Sequence, residues 1–178
     1  RLVGSEMCIR DRELTGLWLA NGECVPSLKE LLETAKRKTS LKLVLELKAH
    51  SKPEREIKAV EEIVSMIKKM GLEPRMIYIT FSSHALKELI RQAPTSTPVY
   101  YLKGDLSPQQ LKELGSAGPD YHFSEFYRYT DWIESCHALG LKVNVWTVNK
   151  KEDMQYFWDK VDFITTCLLY TSDAADDK

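Results

Sequence analysis

A carboxylate and an ammonium two residues apart close a short apolar run, Leu41 to Lys48, reading LKLVLELK. In an extended strand successive side chains point to opposite faces, so Val44, Glu46 and Lys48 share one face and Leu43, Leu45 and Leu47 the other. Charges beside a core are costly unless they pair, bind a metal or meet a substrate. Glu46 could therefore hold a cation and Lys48 could stabilise negative charge. The plain alternative is an ion pair at a solvated strand end, which contributes little to stability. The surrounding elements decide between these.

Those elements alternate with regularity. Ser27 and Glu30 form an S-x-x-E capping box ahead of Leu28, Leu31, Leu32 and Ala35 at helical spacing. After LKLVLELK, Pro53 opens a long helix with Ile57, Val60, Ile63, Val64, Ile67 and Met70 on one stripe, closed by Gly71. MIYITF, Met76 to Phe81, has the β-branched and aromatic content of a strand, and Ser83 caps the helix after it. TPVYYL, Thr97 to Leu102, is the next strand, followed by a helix from Ser107 and Pro108 to Gly115. Asp120 to Phe123 is a short strand, and Thr130 caps a helix with Trp132, Ile133, Cys136 and Leu139 inward. KVNVWT, Lys142 to Thr147, then a helix capped by Asn149 and the strand VDFIT, Val161 to Thr165, complete the series.

Six strands with a helix between each pair predict an α/β fold with a parallel sheet, either a TIM (β/α)8 barrel or an open doubly wound sheet. The Gly-rich turn of a doubly wound nucleotide binder is missing, which favours the barrel. Barrel enzymes place their sites at the carboxyl ends of the strands, where this chain gathers Glu46, Lys48, Ser82, Lys103, His122, Ser124, Trp146, Asn149, Thr165 and Thr166. Six units fall short of the roughly 250 residues typical of the fold, so two strand–helix units are expected to be absent from the front.

Composition excludes several classes. The 178 residues are 43% hydrophobic and 29% charged, with a net charge of -1 and no extended basic field, which argues against nucleic-acid binding. No run approaches the roughly 18 apolar residues of a membrane span. Cys8, Cys24, Cys136 and Cys167 show no metal-type spacing. The ends, GSEMCIRDR and CLLYTSDAADDK, resemble translated adapter sequence, so residues 1–12 and 167–178 are expected to be non-native tails around a domain at 13–166.

GECVPSLKELLE, LKLVLELK, YITFS, VNVWTVNKKEDM and VDFITT, in that order and spacing, resemble the C-terminal three-quarters of a glycerophosphodiester phosphodiesterase. The resemblance implies hydrolysis of a small-molecule glycerophosphodiester to glycerol 3-phosphate and an alcohol, with a divalent cation, Ca²⁺ or Mg²⁺, as cofactor. It implies that Glu46 is one of three metal carboxylates, that Lys48 is a catalytic residue facing the phosphodiester, and that Trp146 binds substrate. Ions of this kind take oxygen ligands and often coordinate substrate phosphate as well. His122 on its short strand and Ser82 after YITF are candidate substrate-binding residues, whereas His50, His84 and His137 read as surface or loop positions.

The family's His-Arg-Gly motif, its Glu-x-Asp pair and its His-Asp motif have no counterpart in this chain. They would supply the other two metal carboxylates and both catalytic histidines. The expectation is a parent hydrolase of which this polypeptide is inactive. Two further readings stand beside it: a related barrel phosphodiesterase of the phosphatidylinositol phospholipase C or sphingomyelinase D type, and a catalytically dead barrel kept for binding.

Overall fold

A computed structural model of the chain describes residues 16–168. The expected tail at 1–12, and 169–178 of the other, lie outside the described residues. Strands β1 (Leu43–Leu47), β2 (Met76–Thr80), β3 (Val99–Tyr101), β4 (Gly118–His122), β5 (Asn144–Trp146) and β6 (Phe163–Ile164) form one parallel sheet in chain order. Helix α1 (Leu28–Lys38) precedes β1, and α2 (Pro53–Met70), α3 (Ser83–Gln92) and α4 (Pro108–Leu114) fill the next three connections. A pair, α5 (Phe123–Arg128) and α6 (Trp132–Ala138), joins β4 to β5, and α7 (Lys151–Phe157) joins β5 to β6. This is a TIM-type sheet, six strands curled into a partial barrel with helices alternating.

Local chemistry explains the elements. Ser27 and Glu30 close the expected capping box: the Glu30 carboxylate accepts from Ser27 N–H at 2.8 Å, and Ser27 Oγ accepts from Glu30 N–H at 3.3 Å. Those hydrogen bonds from Ser27 hold the Glu30 carboxyl below its usual range. Pro53 sits in the first turn of α2, and Gly71 ends it with φ 65°, a left-handed conformation that glycine adopts without cost. In β2 the alternation is regular: Met76, Tyr78 and Thr80 are buried against helices, while Ile77 and Ile79 face the concave side. Val60 and Ile67 of α2 and Leu86 and Leu89 of α3 complete that core. Gly118 is forced by the sheet itself, because at φ 147° a Cβ there would lie 1.9 Å from the Lys142 carbonyl oxygen.

The paired strands are shorter than the apolar runs that signal them, since a ladder needs a partner. Among the described residues β1 pairs only with β2 and β6 only with β5. Their concave-face side chains are correspondingly open: Val44 is 58% exposed and Phe163 43%.

Three expected caps are corrected. Ser82, not Ser83, caps α3, its Oγ accepting from Ala85 N–H at 3.1 Å, and Ser83 is the first helical residue. Thr130 does not cap α6, whose N-cap is Asp131 without a side-chain bond. Asn149 does not cap α7 either; Lys150 holds that position, and Asn149 Oδ1 instead accepts from Thr166 Oγ1 at 3.1 Å and Cys167 N–H at 2.9 Å. A tertiary bond between neighbouring loops has taken the acceptor that a local cap would have used.

Candidate active site at the strand ends

The strand register places one set of side chains on the concave face. Glu46 lies opposite Ile79, Ile79 opposite Tyr100, Tyr100 opposite Gly118, Asp120 opposite Asn144 and His122 opposite Trp146. At the carboxyl ends this row finishes in Glu46, His122 and Trp146, with Lys48 and Phe81 just beyond their strands. Lys48 Nζ donates to Glu46 Oε1 at 2.7 Å, with 75% of the lysine side chain and 28% of the glutamate side chain exposed. The charges therefore pair, leaving the ammonium facing solvent at the barrel mouth.

Rings line the rest of the mouth. The Phe81 ring stands edge-on to Trp146 at 5.8 Å between centroids, Trp146 edge-on to His122 at 5.1 Å, and His122 lies 4.3 Å from Phe123. Trp146 is fixed by its indole N–H, which donates to the Asp120 carbonyl oxygen at 2.7 Å. His122 is held at Nδ1, which lies 2.7 Å from Ser124 Oγ and accepts from Ser124 N–H at 3.3 Å. The Trp146–Thr147 peptide bond is cis.

One layer deeper sits a polar cluster that motif reading missed. Asp120 is buried, and Asn144 donates to its Oδ1 at 2.7 Å and reaches Thr165 Oγ1 at 3.2 Å. Burial pushes the Asp120 carboxyl up to about 7; the Glu46 charge raises it too, against the lowering effect of the Asn144 bond. A cavity of about 210 Å³ adjoins the cluster, lined also by Val44, Ile77, Ile79 and Tyr100. Period-two alternation was the available signal: Asp120 and His122 share a strand face, as do Asn144 and Trp146.

Ser82 lies at the mouth, but its hydroxyl is engaged on both sides. It accepts from Ala85 N–H and donates to Glu56 Oε2 at 2.9 Å. Glu56 was the second residue missed, although it lies one helical turn before Val60 on the apolar stripe of α2, where a carboxylate is anomalous. A larger cavity, about 590 Å³, opens at the opposite end of the strands among Met76, Pro98, Ala117 and Lys142. It contains no histidine or carboxylate, as suits the end of a barrel that serves stability.

The structure thus brings Glu46, Lys48, His122 and Trp146 to one mouth and turns Ser82 to a structural bond. Among the described residues no three His, Cys, Asp or Glu side chains gather as a metal site, and no helix is long and apolar enough to cross a membrane.

Comparison with known proteins agrees with the geometry. A glycerophosphodiester phosphodiesterase from Caldanaerobacter subterraneus subsp. tengcongensis is 29% identical over 138 residues, which are 75% of this chain and 54% of that protein. The crystal structure of a glycerophosphodiester phosphodiesterase from Parabacteroides distasonis superposes with a TM-score of 0.83 at 45% identity, covering 87% of this chain and 65% of that one. A phosphodiesterase of Oleispira antarctica, solved with the product sn-glycerol-3-phosphate, shares the fold at a TM-score of 0.60 and 19% identity over 80% of this chain and 57% of its own. The chain therefore spans between about half and two thirds of the length of these relatives. The profile of the glycerophosphoryl diester phosphodiesterase family matches residues 8–166, which takes in every strand and every mouth residue described above, and the chain belongs to that family.

Proposed function

We propose that this chain is the part of a phosphoric diester hydrolase that carries Glu46, Lys48 and Trp146, and that the parent enzyme splits glycerophosphodiesters into glycerol 3-phosphate and an alcohol. The observation that carries this reading is the Glu46–Lys48 pair at 2.7 Å, at the carboxyl end of β1 and on the strand face that ends in Trp146. Lys48 is the group that meets the phosphodiester, because an exposed ammonium at the mouth can leave its carboxylate and stabilise charge developing on phosphoryl oxygens. Trp146, braced on Asp120, supplies a flat apolar wall against which the glycerol carbons rest. His122 extends that wall.

The family is generally dependent on a divalent metal, and Glu46 is the carboxylate placed to contribute to such a site. Alone it does not make the multi-oxygen shell that Ca²⁺ or Mg²⁺ takes. The 178-residue chain is proposed to turn over no substrate, since among the described residues it offers neither a full metal shell nor a histidine bonded to Lys48 as acid or base. The domain it belongs to is taken as 13–166, with 1–12 and 167–178 as non-native tails.

The direct test is titration of the full chain with sn-glycerol 3-phosphate, followed by tryptophan fluorescence. Saturable quenching is expected, lost in Lys48→Ala. A chain that shows no response overturns the reading, and hydrolysis of glycerophosphocholine with added Ca²⁺, abolished by Glu46→Gln, overturns the expected inactivity.

A further inference from the structure

Beside the mouth, a second group of chemically able side chains gathers on the same end of the barrel. Glu56, in the first turn of α2, is 3% exposed, and its two oxygens accept three hydrogen bonds. His50 N–H donates to Oε1 at 3.0 Å, Ser82 Oγ–H to Oε2 at 2.9 Å, and His84 Nδ1 lies 3.0 Å from Oε2. A buried carboxylate is sustained only by such full satisfaction. The three donors come from two segments, the loop following Lys48 and the start of α3, where Ser82 is the N-cap and His84 lies in the first turn.

The arrangement decides the chemistry of His84. Both Glu56 oxygens act as acceptors, so the hydrogen between Glu56 and the ring belongs to Nδ1, and in the neutral ring Nε2 then keeps its lone pair. Carboxylates orient histidines in this way wherever the far nitrogen has a task. Here 40% of the His84 side chain remains exposed, and the ring lines a cavity of about 590 Å³ with His50, Ser51, Phe81 and Lys103. Phe81 belongs to both places, since its ring also touches Trp146 at 5.8 Å. The cavity and the mouth are neighbours.

We propose that this cavity is the subsite for the alcohol portion of the diester, with His84 Nε2 accepting a hydrogen bond from one of its hydroxyls. The proposal rests on the phosphodiesterase reading and deepens it by naming the substrate class: diesters whose headgroup is polyhydroxylated, such as glycerol or inositol. A quaternary ammonium headgroup fits poorly. It has no hydrogen to give Nε2, and among the described residues Phe81 and Tyr101 are the only aromatic rings lining the cavity apart from the two imidazoles, while Lys103 is paired with Asp105 at 2.8 Å.

The test uses the full chain labelled with ¹⁵N and long-range ¹H–¹⁵N NMR of its histidines, with the Trp146 indole N–H as a separate reporter of the mouth. Expected are an Nδ1–H tautomer for His84 and a saturable shift of its Nε2 on adding glycerophosphoinositol. Glycerophosphocholine at equal concentration should move Trp146 alone. His84→Asn keeps a donor toward Glu56 while removing Nε2, and should weaken glycerophosphoinositol binding about fivefold, the weight of one hydrogen bond, with glycerophosphocholine binding unchanged. Glu56→Gln should mix the tautomers and produce the same selective loss. An Nε2–H tautomer, equal His84 shifts with both diesters, or a responding Trp146 beside a silent His84 overturns the subsite alone. A Trp146 that responds to neither diester overturns the phosphodiesterase reading, and with it the assignment of the cavity to the diester's alcohol portion, even where His84 shifts by itself.

Discussion

Replacing Asp120 by asparagine should change how stability depends on pH, in a direction opposite to that of most acidic residues. The Asp120 carboxyl is pushed from 3.8 up to about 7, by burial first and by the charge of Glu46, with the Asn144 bond opposing. Between those values the folded chain holds a proton that the unfolded chain has released. A group raised in this way contributes stability that is fully present below the unfolded value and is lost as pH rises through the folded one. Two pH units separate pH 5 from 7, so at ~1.36 kcal/mol per unit the loss between pH 5 and 8 is about 2.5 kcal/mol. The amide introduced by Asp120→Asn does not titrate and can still accept from Asn144. In urea denaturation followed by tryptophan fluorescence in metal-free buffer, D120N should therefore gain about 2.5 kcal/mol on the parent chain when pH moves from 5 to 8. Taking the difference between the two chains cancels every other titrating group to first order. Glu46→Gln removes the charge that adds to the effect of burial and should shift the window to lower pH. A D120N difference that stays flat across this range would refute the account of Asp120 as a desolvated carboxyl.

Three further substitutions test the frame that positions the site. Gly118→Ala must push a methyl group into a carbonyl 1.9 Å away at a backbone φ of 147°, and should cost about 3 kcal/mol or more in chemical denaturation. Ser27→Ala removes one half of the α1 capping box and should lower stability by about 1 kcal/mol while leaving the ligand-induced Trp146 shift intact. Phe157→Ala empties a fully buried position that packs on Phe126, Tyr127 and Tyr156, for a loss of about 3–5 kcal/mol.

The fold was largely legible because its signals are local and repeated. Capping at Ser27 and Ser107, Pro at the starts of α2 and α4, Gly71 and Gly115 at their ends, and apolar runs between them all act within a few residues. What escaped was decided across the sheet. Asn149 has the composition of a cap, yet its acceptor binds the segment after β6, a partner that no window around α7 contains. The site divides in the same way. Glu46, Lys48 and Trp146 stand in strand-end motifs and could be named, whereas Asp120 gained importance only when Asn144 came beside it from the next strand. Glu56 was visible as a charge on an apolar stripe, but its role required His50 from the loop after Lys48 and Ser82 and His84 from the start of α3 to converge on it.

The strand-end pair is itself open to a test that separates function from stability. Its lysine is three-quarters exposed, and ion pairs so placed contribute about 0–1 kcal/mol to folding. If Glu46 and Lys48 were only a decorated strand end, removing them should matter to nothing; if they were a structural strut, the melting temperature should fall. A site residue predicts a third pattern. Glu46→Gln and Lys48→Met should each leave the denaturation free energy at pH 7 within about 1 kcal/mol of the parent chain, yet Lys48→Met should abolish the response to sn-glycerol 3-phosphate. Glu46→Gln, which frees the ammonium from its partner, should strengthen that response in metal-free buffer, because the anion no longer competes with a carboxylate for Lys48. Weaker binding in Glu46→Gln under those conditions would contradict the placement of Lys48 as the phosphate contact, since the hydrogen bond that the substitution disturbs among the described residues is the one that holds the lysine away from its ligand.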